Sequence, residues 1–138
     1  MSHKTASIKI FIWAVLVIPA LAGCGAKSPG IPPDQLASRF YDAIINRDFN
    51  AAVSLYGGSR PTEANIQELQ ELQAKLGDLQ SYELQDTIVN TIFSGTRYIY
   101  TYRLQYANTA VTEMLIMFEN IQGEPLYIEH RNYKLKNL

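Results

Sequence analysis

The sequence predicts an α+β domain in which N-terminal helices pack on a curved four-stranded antiparallel meander. Three observations predict it. Apolar residues recur at helical spacing through the first half of the chain after residue 33. From Ser81 onward the period changes to two. Turn residues then divide the remainder into four stretches, and helices followed by a run of strands make segregated layers.

The first helix starts with Asp34 as N-cap and carries Leu36, Phe40 and Ile44 at i, i+4 and i+8, widened by Ala37, Tyr41 and Ile45. Asn46-Arg47-Asp48 interrupts it. Phe49 to Tyr56 forms a second short helix that Gly57-Gly58 stops. Pro61 opens a third over Thr62 to Leu79, with Ile66, Leu69, Leu72, Leu76 and Leu79 as its stripe, and Gly77-Asp78 marks its end. That stripe spans about two heptads, too few for a coiled coil, so the helix is expected to lie on its own sheet.

Tyr82, Leu84, Ile88 and Ile92 share one face of the first strand, with Val89 and Phe93 on the other. Ser94-Gly95 turns the chain. Arg97 to Tyr106 is the clearest strand: Tyr98, Tyr100, Tyr102, Leu104 and Tyr106 alternate with Arg97, Ile99, Thr101, Arg103 and Gln105. Val111 to Phe118 is apolar on both faces except for Thr112 and Glu113, as a central strand should be. Leu126 to Leu135 closes the sheet, with Tyr127 and Tyr133 on one face and Leu126 and Ile128 on the other. Phe40 and Ile116 lie on the strongest apolar faces of their elements and are expected in the core.

Ahead of the domain, Lys4 and Lys9 precede the apolar run Ile10 to Leu21, which ends in Leu21-Ala22-Gly23-Cys24. The run is shorter than the ~20 residues a spanning helix needs. It resembles a bacterial lipoprotein signal peptide with its lipobox. That resemblance implies cleavage before Cys24, a diacylglycerol on the Cys24 thiol and acylation of the new amine. Residues 1–23 are then a leader, 24–33 a lipidated cysteine with a tether, and 34–138 the single domain. Gly25 stands where an Asp resembles an inner-membrane retention signal, so in a Gram-negative cell the resemblance implies the outer membrane, on its periplasmic or surface side. Gly25 to Pro33 holds three prolines and two glycines, and extended it reaches roughly 30 Å.

Cys24 is the only cysteine, so no intramolecular disulfide forms. Without Lys4 and Lys9, ten basic residues face thirteen acidic ones, a net charge of −3. A mildly acidic domain has no footprint for nucleic acid, and membrane attachment rests on the acyl chains.

The segment Arg39 to Ala52, Arg-Phe-Tyr-Asp-Ala-Ile-Ile-Asn-Arg-Asp-Phe-Asn-Ala-Ala, resembles the opening of nuclear-transport-factor-two-like (NTF2-like) and cystatin-like domains. Tyr98 to Tyr106, Thr112 to Phe118 and Leu126 to Tyr133 look like their terminal meander. The resemblance covers most of residues 34–135 and implies the fold. This fold hosts enzymes, carriers, assembly factors and inhibitors alike. The cystatin protease-binding Gln-x-Val-x-Gly loop is missing.

Two sets of residues invite chemistry. His130 is the one histidine after Cys24, and Asp86 is its only sensible carboxylate partner; with the Tyr100 hydroxyl they would suit a small cavity enzyme of hydrolase or isomerase type. The tyrosine row Tyr98, Tyr100 and Tyr102 suits a small apolar ligand or a protein partner, and the opposite face, with Arg97 and Arg103, could equally meet another subunit. No metal or cofactor motif is present. The sequence favours a non-catalytic binding or assembly module of the cell envelope, lipid-anchored to a membrane.

Overall fold

The computed structural model describes residues 30–58 and 62–134. The leader, Cys24 and most of the tether, with Pro61 and Leu135, lie outside the described residues. Helices α1 (Pro33–Ile45), α2 (Phe49–Val53) and α3 (Thr62–Leu76) precede strands β1 (Leu79–Ile92), β2 (Gly95–Tyr106), β3 (Ala110–Asn120) and β4 (Tyr127–Lys134). The strands form one antiparallel sheet in the order β1-β2-β3-β4, the expected meander.

The helix boundaries differ from the sequence reading for local reasons. Pro32, rather than Asp34, is the N-cap of α1, with Pro33 at the first helical position where its missing N–H costs nothing. Asp34 sits in the first turn, facing the positive end of the helix. Asp48 caps α2 by accepting a hydrogen bond from the Ala51 N–H at 3.0 Å. The helix ends at Val53 because the chain beyond it turns to the sheet. Tyr56 pairs in parallel with Ile128, and Gly57 N–H donates to the Ile128 carbonyl at 3.1 Å. A Cβ at Gly57 would stand 2.1 Å from the Tyr127 ring, so only glycine permits that approach. Gly77, with φ of +83°, ends α3 and releases Leu79 to begin β1.

The sheet has three register shifts, one at the very start of β1 between Leu79 and Ser81 and two further along that rearrange the faces. Of these two bulges, the first lies between Leu84 and Asp86, the second opposite the Ile116/Met117 step, leaving Glu129 unpaired between Ile128 and His130. An extra residue flips every side chain beyond it to the other face. In β1, Tyr82 and Leu84 therefore share the helix-facing side with Thr87 and Val89, while Ile88 and Ile92 pass to the outer side. In β4, Ile128, Arg131 and Tyr133 share the helix-facing side, where simple alternation had separated Ile128 from Tyr133.

The core lies between the helices and that inner face. Leu36, Ala37, Phe40, Tyr41 and Ile44 of α1 and Leu69, Leu72 and Leu76 of α3 meet Tyr102, Leu104 and Tyr106 of β2, Val111, Leu115 and Met117 of β3, and Ile128 of β4. Ile116 is half-buried on the outer face, across from Ile99 and His130, and so is not a core residue. Phe40→Ala should destabilise the domain by ~3–5 kcal/mol, and Ile116→Ala by under about 2 kcal/mol. Chemical denaturation of the two variants checks the order, and equal losses would mean that the outer face is also packed.

Candidate functional site

Glu113, the polar exception in an otherwise apolar strand, is completely buried on the inner face of β3. An ionised carboxylate there costs several kcal/mol unless it is paired. Its partner is Arg131, one strand over and two positions along, delivered to the same face by the β4 bulge. Arg131 donates from Nε to Glu113 Oε1 at 3.1 Å and from Nη2 to Oε2 at 2.5 Å, a two-pronged contact. The Tyr41 hydroxyl of α1 donates to Glu113 Oε1 at 2.9 Å. The Phe40 and Tyr133 rings stand against the guanidinium, their centroids 5.2 and 5.8 Å from Cζ. Arg131 Nη1 has no hydrogen-bond partner among the described residues.

Electrostatics follow from this geometry. Burial alone would lower the Arg131 pKa, but the adjacent Glu113 charge outweighs it and holds the guanidinium protonated. Tyr41 is pushed well above the usual phenol range by burial, then by the Glu113 charge. Tyr56 is also raised by burial, partly offset by the Arg131 charge. The cluster is therefore a fixed ion pair with neutral phenols around it.

The tyrosine row splits by depth. Tyr102 is buried, stacked edge-on to Tyr41 at 4.8 Å, and burial lifts its pKa to about 12. Tyr82 stacks on Tyr41 at 4.9 Å and donates to Asp42 at 2.9 Å. Tyr100 and Tyr98 are half-buried, progressively nearer the β1–β2 turn, and Tyr98 donates to Glu119 at 3.3 Å. Across the ladder from Tyr102, Tyr100 and Tyr98 stand Leu84, Thr87 and Val89, all exposed. Leu84, Val89, Tyr98 and Tyr100 thus form an apolar patch on the inner face of the sheet. Burial, and then the Asp34 charge at the start of α1, raises the Tyr100 pKa.

His130, Asp86 and Tyr100 are not brought together. His130 and Asp86 are exposed on the outer face, on the two edge strands, about 16 Å apart across three strand spacings and a two-residue offset. Tyr100 points to the inner face, level with Leu115. Arg97 and Arg103 do lie outward, as expected. Arg97 is held by Glu129 through contacts of 2.7 and 2.8 Å and lies over the Phe118 ring, whereas Arg103 lines a shallow outer depression with Gln85, Thr112 and Lys134. Among the described residues no three His, Cys, Asp or Glu side chains gather as a metal site.

Sequence reasoning noticed Glu113 and missed Arg131. Charge alone held the clue, since a carboxylate inside a central strand demands a cation on a neighbouring strand. The bulge that supplies it has no sequence signature in this chain.

No protein-family model matches the chain, and no curated protein does. Solved structures do. An NTF2-like protein of unknown function from Pseudomonas putida is 14% identical, covers 73% of this chain and 82% of its own, and superposes with a TM-score of 0.52. A protein from Catenulispora acidiphila is 13% identical over 73% and 86%, with a TM-score of 0.52. Bd1075 of Bdellovibrio bacteriovorus is 9% identical over 75% of this chain and 39% of its own, with a TM-score of 0.54. At these identities the likeness shows the fold, and the fold is NTF2-like.

Removing one partner of the pair should cost ~3–5 kcal/mol, because it strands a buried charge. Glu113→Gln and Arg131→Met are each expected to lose that much by chemical denaturation, and the double variant to recover most of it. A double variant as weak as the sum of the singles would show that the two charges act independently. High pH gives a second check. A phenol whose pKa is raised in the fold stabilises it fully below its usual 10.0, and that stability is lost as pH climbs through the raised value. Stability should therefore fall above pH 10, with Tyr102 contributing up to about 12. The phenolate absorbance of the buried tyrosines should appear together with loss of structure, and a single early titration of all nine tyrosines would contradict the placement.

Proposed function

We propose that the protein is a lipid-anchored module of the bacterial cell envelope. Cys24 carries the anchor, and the domain works by binding rather than by catalysis. The observation that carries the second part is the locked interior. The two charges at the heart of the fold, Glu113 and Arg131, are consumed by each other and by Tyr41. His130 and Asp86, the other acid–base pair the chain offers, stand on opposite edges of the outer face. What remains accessible is a contact surface. Leu84, Val89, Tyr98 and Tyr100 present aliphatic and aromatic area with phenol hydroxyls at its rim, suited to a small apolar ligand or to the apolar face of an envelope protein. The anchor reading rests on the lipobox Leu21 to Cys24 and on the proline-rich tether behind it.

Two measurements test the proposal. Metabolic labelling with a fatty acid should tag the wild type and leave Cys24→Ser untagged, and equal labelling of both would defeat the anchor reading. A photo-reactive residue placed at Val89 should capture a defined partner in intact envelopes, while one at Asn132, on the outer face, should not. His130→Ala should leave both capture and cellular role intact. Loss of the cellular role in His130→Ala, with fold and capture unchanged, would replace the binding reading with an enzymatic one.

A further inference from the structure

The most exposed apolar side chains of the domain meet at one end of the sheet. Phe93, in the β1–β2 turn, is 97% exposed, and Ile121, in the β3–β4 turn, is 66% exposed. The two turns are joined, since the Ile121 N–H donates to the Ser94 carbonyl at 3.1 Å. Ile92, also exposed, adjoins them. The sequence around this tip carries no charge from Thr87 to Thr96 or from Asn120 to Gly123. The nearest charges are carboxylates behind the tip, Glu119 and the Glu124 side chain that accepts from the Asn120 amide at 2.5 Å. Lone exposed apolar residues are ordinary. Two turns clamped together, each offering its largest apolar side chain to solvent, form a surface with something to cover it.

The direction of the chain says what. The N-terminal end of α1 lies at this same end of the domain. Ile31 and Leu36 share a cleft with Glu124, Pro125, Leu126 and Tyr127, the residues that follow the Ile121 turn. The other end of α1 is pinned far along the sheet, where Arg47 pairs with Asp78 at 2.6 Å, just before β1 begins. The described chain therefore begins, at Gly30 to Pro33, on the end that bears Phe93 and Ile121, and the tether joins the domain there.

We infer that Phe93 and Ile121 form a lipid-contacting tip that inserts at the bilayer surface and fixes the orientation of the anchored domain. The inference rests on the lipoprotein reading of Cys24. One phenyl and one sec-butyl group are too little apolar surface to hold a protein on a membrane alone. A tether reaching roughly 30 Å keeps the tip at high local concentration near the lipid, so weak insertion is enough to set orientation. Phe93 and its sequence neighbours from Thr87 to Thr96 carry no charge, and an aromatic ring suits the headgroup boundary. Insertion would turn the sheet edge-on to the bilayer and leave β4 and the outer depression at Arg103 free.

The test uses the mature lipidated protein in vesicles of zwitterionic lipid with brominated acyl chains. The one native tryptophan, Trp13, lies ahead of the cleavage site, so a single indole can be placed at will. In Phe93→Trp, emission should shift to the blue and fall by about half on brominated lipid, as for a ring at the headgroup–acyl boundary. In Asn108→Trp, at the opposite end of the sheet, emission should be unchanged. Adding Ile121→Asp to Phe93→Trp should abolish the quenching while fatty-acid labelling stays intact. Absence of fatty-acid label on the wild type would overturn the lipoprotein reading. A labelled protein whose Phe93→Trp indole is not quenched, or is quenched no more than the Asn108→Trp indole, would overturn the tip alone. Crosslinks between two copies through position 93, without quenching, would assign the tip to self-association instead.

Discussion

The Glu113–Arg131 pair constrains everything around it. Two ions have been taken out of water between α1 and the sheet, and each needs its counter-ion held to within a few tenths of an ångström. That requirement fixes the β4 bulge, since without the extra residue Arg131 would point outward and Glu113 would be stranded. It fixes the angle of α1 as well, because Tyr41 completes the carboxylate and Phe40 walls the guanidinium. An apolar pair of similar volume would be at least as stabilising, so the pair is better understood as a device that specifies register and helix placement than as a source of strength.

The same interaction divides the domain. Between the pair and the turn at Gly77, the inner face is packed with Leu104, Tyr106, Val111 and α3 leucines. In the other direction the helices give out. There Tyr100, Tyr98, Thr87 and Val89 lose their cover in turn, and β1 is left as a long edge strand exposed on both faces from Leu84 to Ile92. Exposed edges with apolar side chains invite association, and proteins that keep them either guard them with charge or use them. In this chain β1 carries no charge after Asp86. The packed end thus acts as a rigid holder, and the uncovered end carries the exposed apolar side chains on which the proposed contacts rest.

Much of the fold was legible in the residues. The stripe Leu36, Phe40, Ile44 and the alternation Tyr98 to Tyr106 each record a single element with one buried face, and both elements form where they were expected. The faces of β1 and β4 were not legible, because alternation is a local rule and a bulge breaks it without leaving a Gly or Pro in these strands. Asp86 and His130 looked like partners because each was placed by simple alternation, and the two bulges put both on the outside. The end of α2 was likewise decided by a distant contact, the Tyr56–Ile128 bridge, which no helical propensity announces. The candidate site was half visible, with the tyrosine row plain in the sequence and the ion pair beneath it dependent on three-dimensional register.

The sequestration of Arg131 by Glu113 is the contact on which the packed interior rests. The most direct measurement is the exchange rate of the arginine Nε–H protons by NMR at neutral pH. Arg131 Nε–H, held by Glu113 Oε1 and closed off by Phe40 and Tyr133, should exchange as slowly as the best-protected backbone amides, far more slowly than that of exposed Arg103. Exchange of Arg131 at the rate of Arg103 would mean that the pair opens freely to water. The interior would then be a solvated, chemically available cavity, contrary to the locked core described above.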